Sequence, residues 1–166
     1  GFIHRDIKPS NIMLGAYGEV LIVDWGLGKK IRSRDQIQKR EVTLEKIITR
    51  EGHIAGTPLY MSPEQALGKN SEISKLSDIY SLGCILYTII TGKPPFYEHS
   101  PDEVLESVRY GKPKTISSIL TEKSMSTDFI TTSLIQIANT AMNKEPTNRY
   151  AKAEDLSRAI REWLSS

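Results

Sequence analysis

His4-Arg5-Asp6-Ile7-Lys8-Pro9-Ser10-Asn11 sets a carboxylate, an ammonium and an amide in one short loop, at spacings suited to phosphoryl transfer. A carboxylate such as Asp6 is too weak a base to remove a hydroxyl proton in advance. It can orient the hydroxyl and take the proton late, which suits a loose, metaphosphate-like transition state. Lys8 can neutralise charge on the transferred group. Downstream, Ile12-Met13-Leu14, then Gly15-Ala16-Tyr17-Gly18, then Val20-Leu21-Ile22-Val23 read as two short strands about a turn. That hairpin would bring Asn11 and Asp24 together as hard oxygen donors, fit for magnesium that is also bound to phosphates.

The surrounding chain has 166 residues, enough for one domain that buries roughly two-thirds of the surface its unfolded form exposes. Its 22 basic and 20 acidic residues leave a formal charge of +2, with no excess to bind a polyanion, so a nucleic-acid partner is not expected. The single cysteine, Cys84, excludes an internal disulfide and a cysteine-based zinc site and reads as a small buried apolar side chain. A reducing, cytoplasmic location is the expectation. Gly1 to Arg5 lacks the basic-then-apolar order of a signal peptide. The most apolar run, Ile79 to Ile90, is short of the roughly 20 residues that cross a bilayer. No membrane segment is expected in this chain, which leaves open an anchor elsewhere in a longer protein.

Residues 29 to 51 are rich in lysine and arginine and read as a solvated loop, with a helical turn where Leu44 and Ile48 share a face. Helical patterns follow. One starts at Pro63 and stops at Gly68; another runs from about Leu76 to Thr91, before Gly92 and Pro94-Pro95. The second is apolar all round, as a buried helix is, so the carboxylate of Asp78 near its start needs partners. Ser100, Pro101 and Glu103 predict a capping box with proline at the first helical position, and a helix ending near Gly111. A further helix is expected over about Asp128 to Asn143, with Phe129, Leu134, Ile137 and Ala141 inward. A last one follows Tyr150, using Leu156, Ile160, Trp163 and Leu164.

Alone, Asp-Ile-Lys is usually a surface ion pair, and Asp-Trp-Gly usually a turn. The ordered set carries more: His4 to Asn11, Asp24-Trp25-Gly26, Gly56-Thr57-Pro58-Leu59-Tyr60-Met61-Ser62-Pro63-Glu64, Asp78-Ile79-Tyr80-Ser81-Leu82-Gly83, and Arg149. It resembles the eukaryotic-type protein kinases, and looks closest to the bacterial serine/threonine kinases, where Met-Ser-Pro-Glu-Gln and Thr-Gly-Lys-Pro-Pro-Phe are common. The resemblance spans essentially the whole chain. It implies an α+β protein-kinase-like fold, of which residues 1–166 would be the mainly helical C-terminal lobe with a short β-hairpin. Within it the catalytic loop would be 4–11, the metal-binding motif 24–26, the activation segment 24–64 and the helical subdomain 63–164.

By this resemblance Asp6 is the catalytic base, Lys8 contacts the γ-phosphate of ATP, and Asn11 and Asp24 hold Mg2+. The backbone at Met13 lies under the adenine, and Gly56 and Thr57 meet a protein substrate with a serine or threonine acceptor. Asp78 accepts hydrogen bonds from backbone N–H groups near His4 and Arg5, which offsets its desolvation. Glu64 pairs with Arg149. Arg5 marks the subclass switched by activation-loop phosphorylation, with Ser33, Thr43 and Thr49 as candidate sites.

Trp25 stands where the family usually has phenylalanine, and its indole N–H needs a partner. Ser62 replaces the usual alanine, and the basic loop from Gly28 to Gly52 is longer than the commonest form. Gly26-Leu27-Gly28 is no nucleotide loop, lacking the third glycine of Gly-x-Gly-x-x-Gly. The resemblance therefore implies a further partner, an N-terminal lobe of the same protein carrying the glycine loop and the strand lysine. Phosphoryl transfer to serine and threonine is then expected of the longer protein, with these residues alone inactive and marginally stable. The alternatives are a pseudokinase or docking module that uses the fold for interaction, or a truncated inactive fragment.

Overall fold

The computed structural model describes residues 2–30, 58–98, 100–122 and 132–166. The expectations for Ser33, Thr43, Thr49, Gly56, Thr57 and Phe129 lie outside the described residues, as does the helical turn at Leu44 and Ile48. Two small antiparallel sheets precede a helical body. The expected hairpin is β2 (Ile12–Leu14) paired with β3 (Val20–Ile22), with Ile12 opposite Ile22 and Leu14 opposite Val20. Gly18 closes its turn at φ 87°, a left-handed conformation that glycine adopts without a Cβ clash.

The other sheet corrects the reading of residues 29 to 51 as loop throughout. β1 (Phe2–Ile3) pairs with β4 (Lys29–Lys30), Phe2 opposite Lys30 and Ile3 opposite Lys29. Two lysines carry no strand pattern; they pair because the backbone of Phe2 and Ile3 offers hydrogen-bonding groups that need partners.

The helices are α1 (Pro63–Ala66), α2 (Lys75–Thr91), α3 (Pro101–Tyr110), α4 (Ile116–Glu122), α5 (Thr132–Ala141) and α6 (Ala153–Leu164). α2 is the central column. Ser74 caps it by accepting from the Leu76 N–H at 3.2 Å, and Gly92, at φ 73°, ends it with its N–H on the Thr88 carbonyl. Only Lys75 and Ile89 of α2 are exposed. Its Tyr80, Cys84, Tyr87 and Ile90 pack with Ile116, Ile119 and Leu120 of α4 and with Leu134 and Ala138 of α5. Ile79 packs on Ile137, Ala141 and Leu156, and Trp163 of α6 closes over both groups. Cys84 is a buried free thiol whose pKa burial raises.

A second, smaller core of Ala66, Phe96, Val104 and Val108 joins α1 to α3. Ser100 begins α3 by accepting from the Glu103 N–H at 3.2 Å, and the helix ends at Tyr110 ahead of Gly111. α4 was not expected. Its Ile116, Ile119 and Leu120 follow helical spacing, yet the run is short and sits among serines and threonines that suggest a loop. Among the described residues no helix is long and apolar enough to cross a membrane.

Candidate active site

The loop between β1 and β2 is held from below by α2. The two oxygens of the Asp78 carboxylate accept the N–H groups of His4, at 2.8 Å, and Arg5, at 2.9 Å. Burial pushes the Asp78 carboxyl above its ordinary pKa, against the pull of those two N–H groups and of the His4 and Arg5 side chains. The buried His4 ring is used on both nitrogens. Nε2 donates to the Val23 carbonyl at 3.1 Å and Nδ1 accepts the Asp6 N–H at 3.3 Å, which selects the Nε2–H tautomer. His4 thereby links the loop to the strand end that leads into Asp24.

Around Asp6 the expected groups converge. Lys8 Nζ lies 2.9 Å from Asp6 Oδ2, and Asn11 Nδ2 donates to the same oxygen at 3.0 Å and to the Asp6 carbonyl at 2.8 Å. Asn11 is buried at the end of a 3-10 turn, Pro9–Asn11, so its amide is fixed while Asp6 and Lys8 stay partly exposed. The hairpin continues the arrangement: the Val23 N–H donates to the Asn11 carbonyl at 2.9 Å, so Asp24 follows directly beside Asn11. Asp24 is exposed at φ 64°, and its Oδ1 accepts the Gly26 N–H at 3.3 Å. Aspartate tolerates this left-handed turn because its short side chain bonds locally.

Trp25 finds the partner its indole needs. Nε1 donates to the Ile22 carbonyl at 3.1 Å, and the ring meets His4 edge-on at 4.6 Å between centroids. Met13, the expected adenine neighbour, is exposed on β2.

Glu64 and Arg149 form a bidentate pair at 2.8 and 2.9 Å. The remaining guanidinium N–H groups go to the carbonyls of Leu76, Lys144 and Asn143, and its plane lies 4.9 Å over the Tyr80 ring. Burial would raise the Glu64 carboxyl, but the bonds and charge of Arg149 and the Ser77 hydroxyl, 2.7 Å away, outweigh it and hold the pKa below its ordinary value. Arg5 is different. Its Nε is buried without a hydrogen-bond partner among the described residues, and burial lowers the guanidinium's pKa against the charge of Asp78.

Sequence reasoning passed over Gln65 and Ser77. Gln65 Nε2 donates to the Arg5 carbonyl at 2.8 Å and Oε1 accepts the Ser62 N–H at 3.2 Å. The Ser-x-x-Gln spacing from Ser62 was the available signal for the second bond; no local signal exists for the first.

Comparison with known proteins identifies the family of the chain. The family model described as the protein kinase domain matches residues 1–160. The chain is 38% identical, over 99% of its length, to the serine/threonine-protein kinase PknD of Protochlamydia amoebophila, of which it covers 16%. It is 35% identical over 94% of its length to the serine/threonine-protein kinase PknB of Mycobacterium leprae, covering 22% of that protein. To the probable serine/threonine-protein kinase PknB of Corynebacterium glutamicum it is 34% identical, over 95% of the chain and 22% of the relative. The chain belongs to the protein kinase domain family, and within it is similar to the bacterial serine/threonine kinases. A mostly helical body with small two-stranded sheets is compatible with that membership.

Proposed function

We propose that this chain is the helical, C-terminal lobe of a serine/threonine protein kinase, supplying the catalytic loop, the metal donors and the protein-binding surface for transfer of the γ-phosphate of ATP. The observation that carries the reading is the triple convergence on Asp6: Lys8 Nζ and Asn11 Nδ2 on one carboxylate oxygen, and the backbone leading into it anchored by Asp78 at the Arg5 N–H and by His4 at the Asp6 N–H. Asp6 Oδ1 is then the oxygen that orients a serine or threonine hydroxyl and takes its proton as the bond to phosphorus forms. Lys8, close to Asp6 but on a flexible stem, turns to the phosphoryl oxygens when they arrive.

Asn11 and Asp24 fit magnesium by the chemistry of their donors. With its nitrogen committed to Asp6, the Asn11 amide offers oxygen as its remaining donor, beside the carboxylate of Asp24. Magnesium, when bound, would neutralise charge on the ATP phosphates. The hairpin and the turn after it support an N-terminal lobe of the same protein as partner: Met13, Leu14, Tyr17, Val20 and Leu21 of the hairpin and Trp25 and Leu27 of the turn are all exposed, and exposed apolar surface of this kind marks an interaction site. ATP would lie between, over Met13. The reading places this domain in the cytoplasm, where ATP is available.

The partly exposed Arg5 guanidinium, with its buried Nε unpartnered among the described residues, suits an anion clamp for a phosphorylated activation segment, with Ser33, Thr43 and Thr49 as candidates. Gly56 and Thr57 would meet the acceptor peptide. The Asp6→Asn substitution in the full-length protein tests the reading. Phosphate transfer from radiolabelled ATP to a serine/threonine substrate should fall at least about a hundredfold, the lower end of the range for losing a positioned general base. Full transfer by the Asp6→Asn variant would sink it.

A further inference from the structure

Arg5 immediately precedes Asp6 and sits at φ 73°, a conformation disfavoured for a residue with a Cβ and kept only where surroundings impose it. Its peptide groups show what imposes it. The Arg5 N–H is held by Asp78 Oδ1 at 2.9 Å, and the Arg5 carbonyl, which leads into the Asp6 peptide, is held by Gln65 Nε2 at 2.8 Å. Relaxing φ to the right-handed side swings that carbonyl away from Gln65 while the N–H stays on Asp78. Asp78 therefore restrains one side of the strained residue, and Gln65 the side that carries the carboxylate.

Gln65 is itself fixed. Its Oε1 accepts the Ser62 N–H at 3.2 Å and the Ser62 hydroxyl at 2.9 Å, so its amide cannot flip: the Arg5 carbonyl needs a donor and the Ser62 N–H needs an acceptor. The neighbouring Glu64 locks the same short helix to Arg149. Building on the kinase reading of Asp6, we infer that Gln65 is a positioning residue. It couples the docked end of the segment before α1 to the conformation of the catalytic loop, by holding the Arg5 carbonyl and with it the direction of the Asp6 carboxylate. A loop released from Gln65 keeps its ligands and loses alignment.

Gln65→Glu and Gln65→Met in the full-length protein test this. The glutamate retains an acceptor for Ser62 and loses the donor to Arg5; the methionine loses both without adding charge. In both variants kcat should fall by about tenfold, the effect of one net hydrogen bond expressed in a barrier, with the KM for ATP within twofold of the parent. Amide hydrogen exchange at Arg5 and Asp6 should quicken by a similar factor, while the amides of Tyr80 to Tyr87 in α2 exchange as before. Unchanged exchange at Arg5 and Asp6, faster exchange everywhere alike, or a kcat lost in the glutamate and kept in the methionine would each overturn the assignment. Exchange needs no turnover. Failure of the parent protein to transfer phosphate would count against the kinase reading, and the exchange result would still decide whether Gln65 holds the loop.

Discussion

Arg149 and Glu64, 85 positions apart in sequence, meet through two parallel hydrogen bonds of 2.8 and 2.9 Å in the buried interior. The pair joins the segment that ends at α1 to the loop before α6. Every guanidinium N–H has a partner, and Ser77 of α2 donates to the carboxylate as well. Three parts of the body are thus tied at one point. The arrangement compensates two desolvated charges only while all of it is intact.

Arg149→Ala strands the Glu64 carboxylate in that interior. The expected cost is about 3–5 kcal/mol, the usual loss when one partner of a buried pair is removed. A fall in melting temperature of about 10 °C follows for a domain of this size. Thermal unfolding of the full-length protein measures it, and an unchanged midpoint would show that the pair adds little.

Acid should weaken the same pair with a definite sign. The Glu64 carboxyl is held below its ordinary value of 4.5, so its contribution is fully present above that value and is lost as pH falls through the lower, folded one. Asp78 acts oppositely: its raised pKa favours the folded form on the acid side and loses that advantage as pH rises through the folded value. Comparing denaturant unfolding of the parent and Glu64→Gln isolates the first effect. The stability difference should shrink as pH falls below 4.5 and through the lower folded value, and a pH-independent difference would contradict it.

Gly83→Ala probes a close approach of α2 to the end of α5. A Cβ there would stand 2.8 Å from Ala141 Cβ and Met142 Cγ and 3.0 Å from the Met142 backbone nitrogen. Alanine improves helix propensity by up to about 1 kcal/mol. Overpacking costs about 1–3 kcal/mol, and backbone on the far side limits relief, so the clash wins. The variant should unfold at lower denaturant with an unchanged slope. A gain in stability would mean that α5 can move aside.

Much of the helical body was legible because its signals are local. Ser100 and Gly92 punctuate helices through bonds made within a few residues, and the all-round apolar pattern of α2 announces a buried column. Asp78 was legible for another reason: a carboxylate inside such a helix must find donors, and the His4 and Arg5 N–H groups are those it has. β4 was not legible, since two lysines become a strand only where another backbone needs them. α4 hid in a short pattern whose flanks favour a loop, and packing on Tyr87 and Ile90 decides it.

The sequence by itself determined which chemical groups are available, a carboxylate, an ammonium and an amide in one loop and a second carboxylate past a hairpin, because residue identity and short spacings are written there directly. Only the tertiary structure decided how they are aimed. The left-handed Arg5, clamped between Asp78 and Gln65 from distant elements, sets the direction of Asp6. Such an orientation is the sum of long-range hydrogen bonds and packing, which no local pattern encodes.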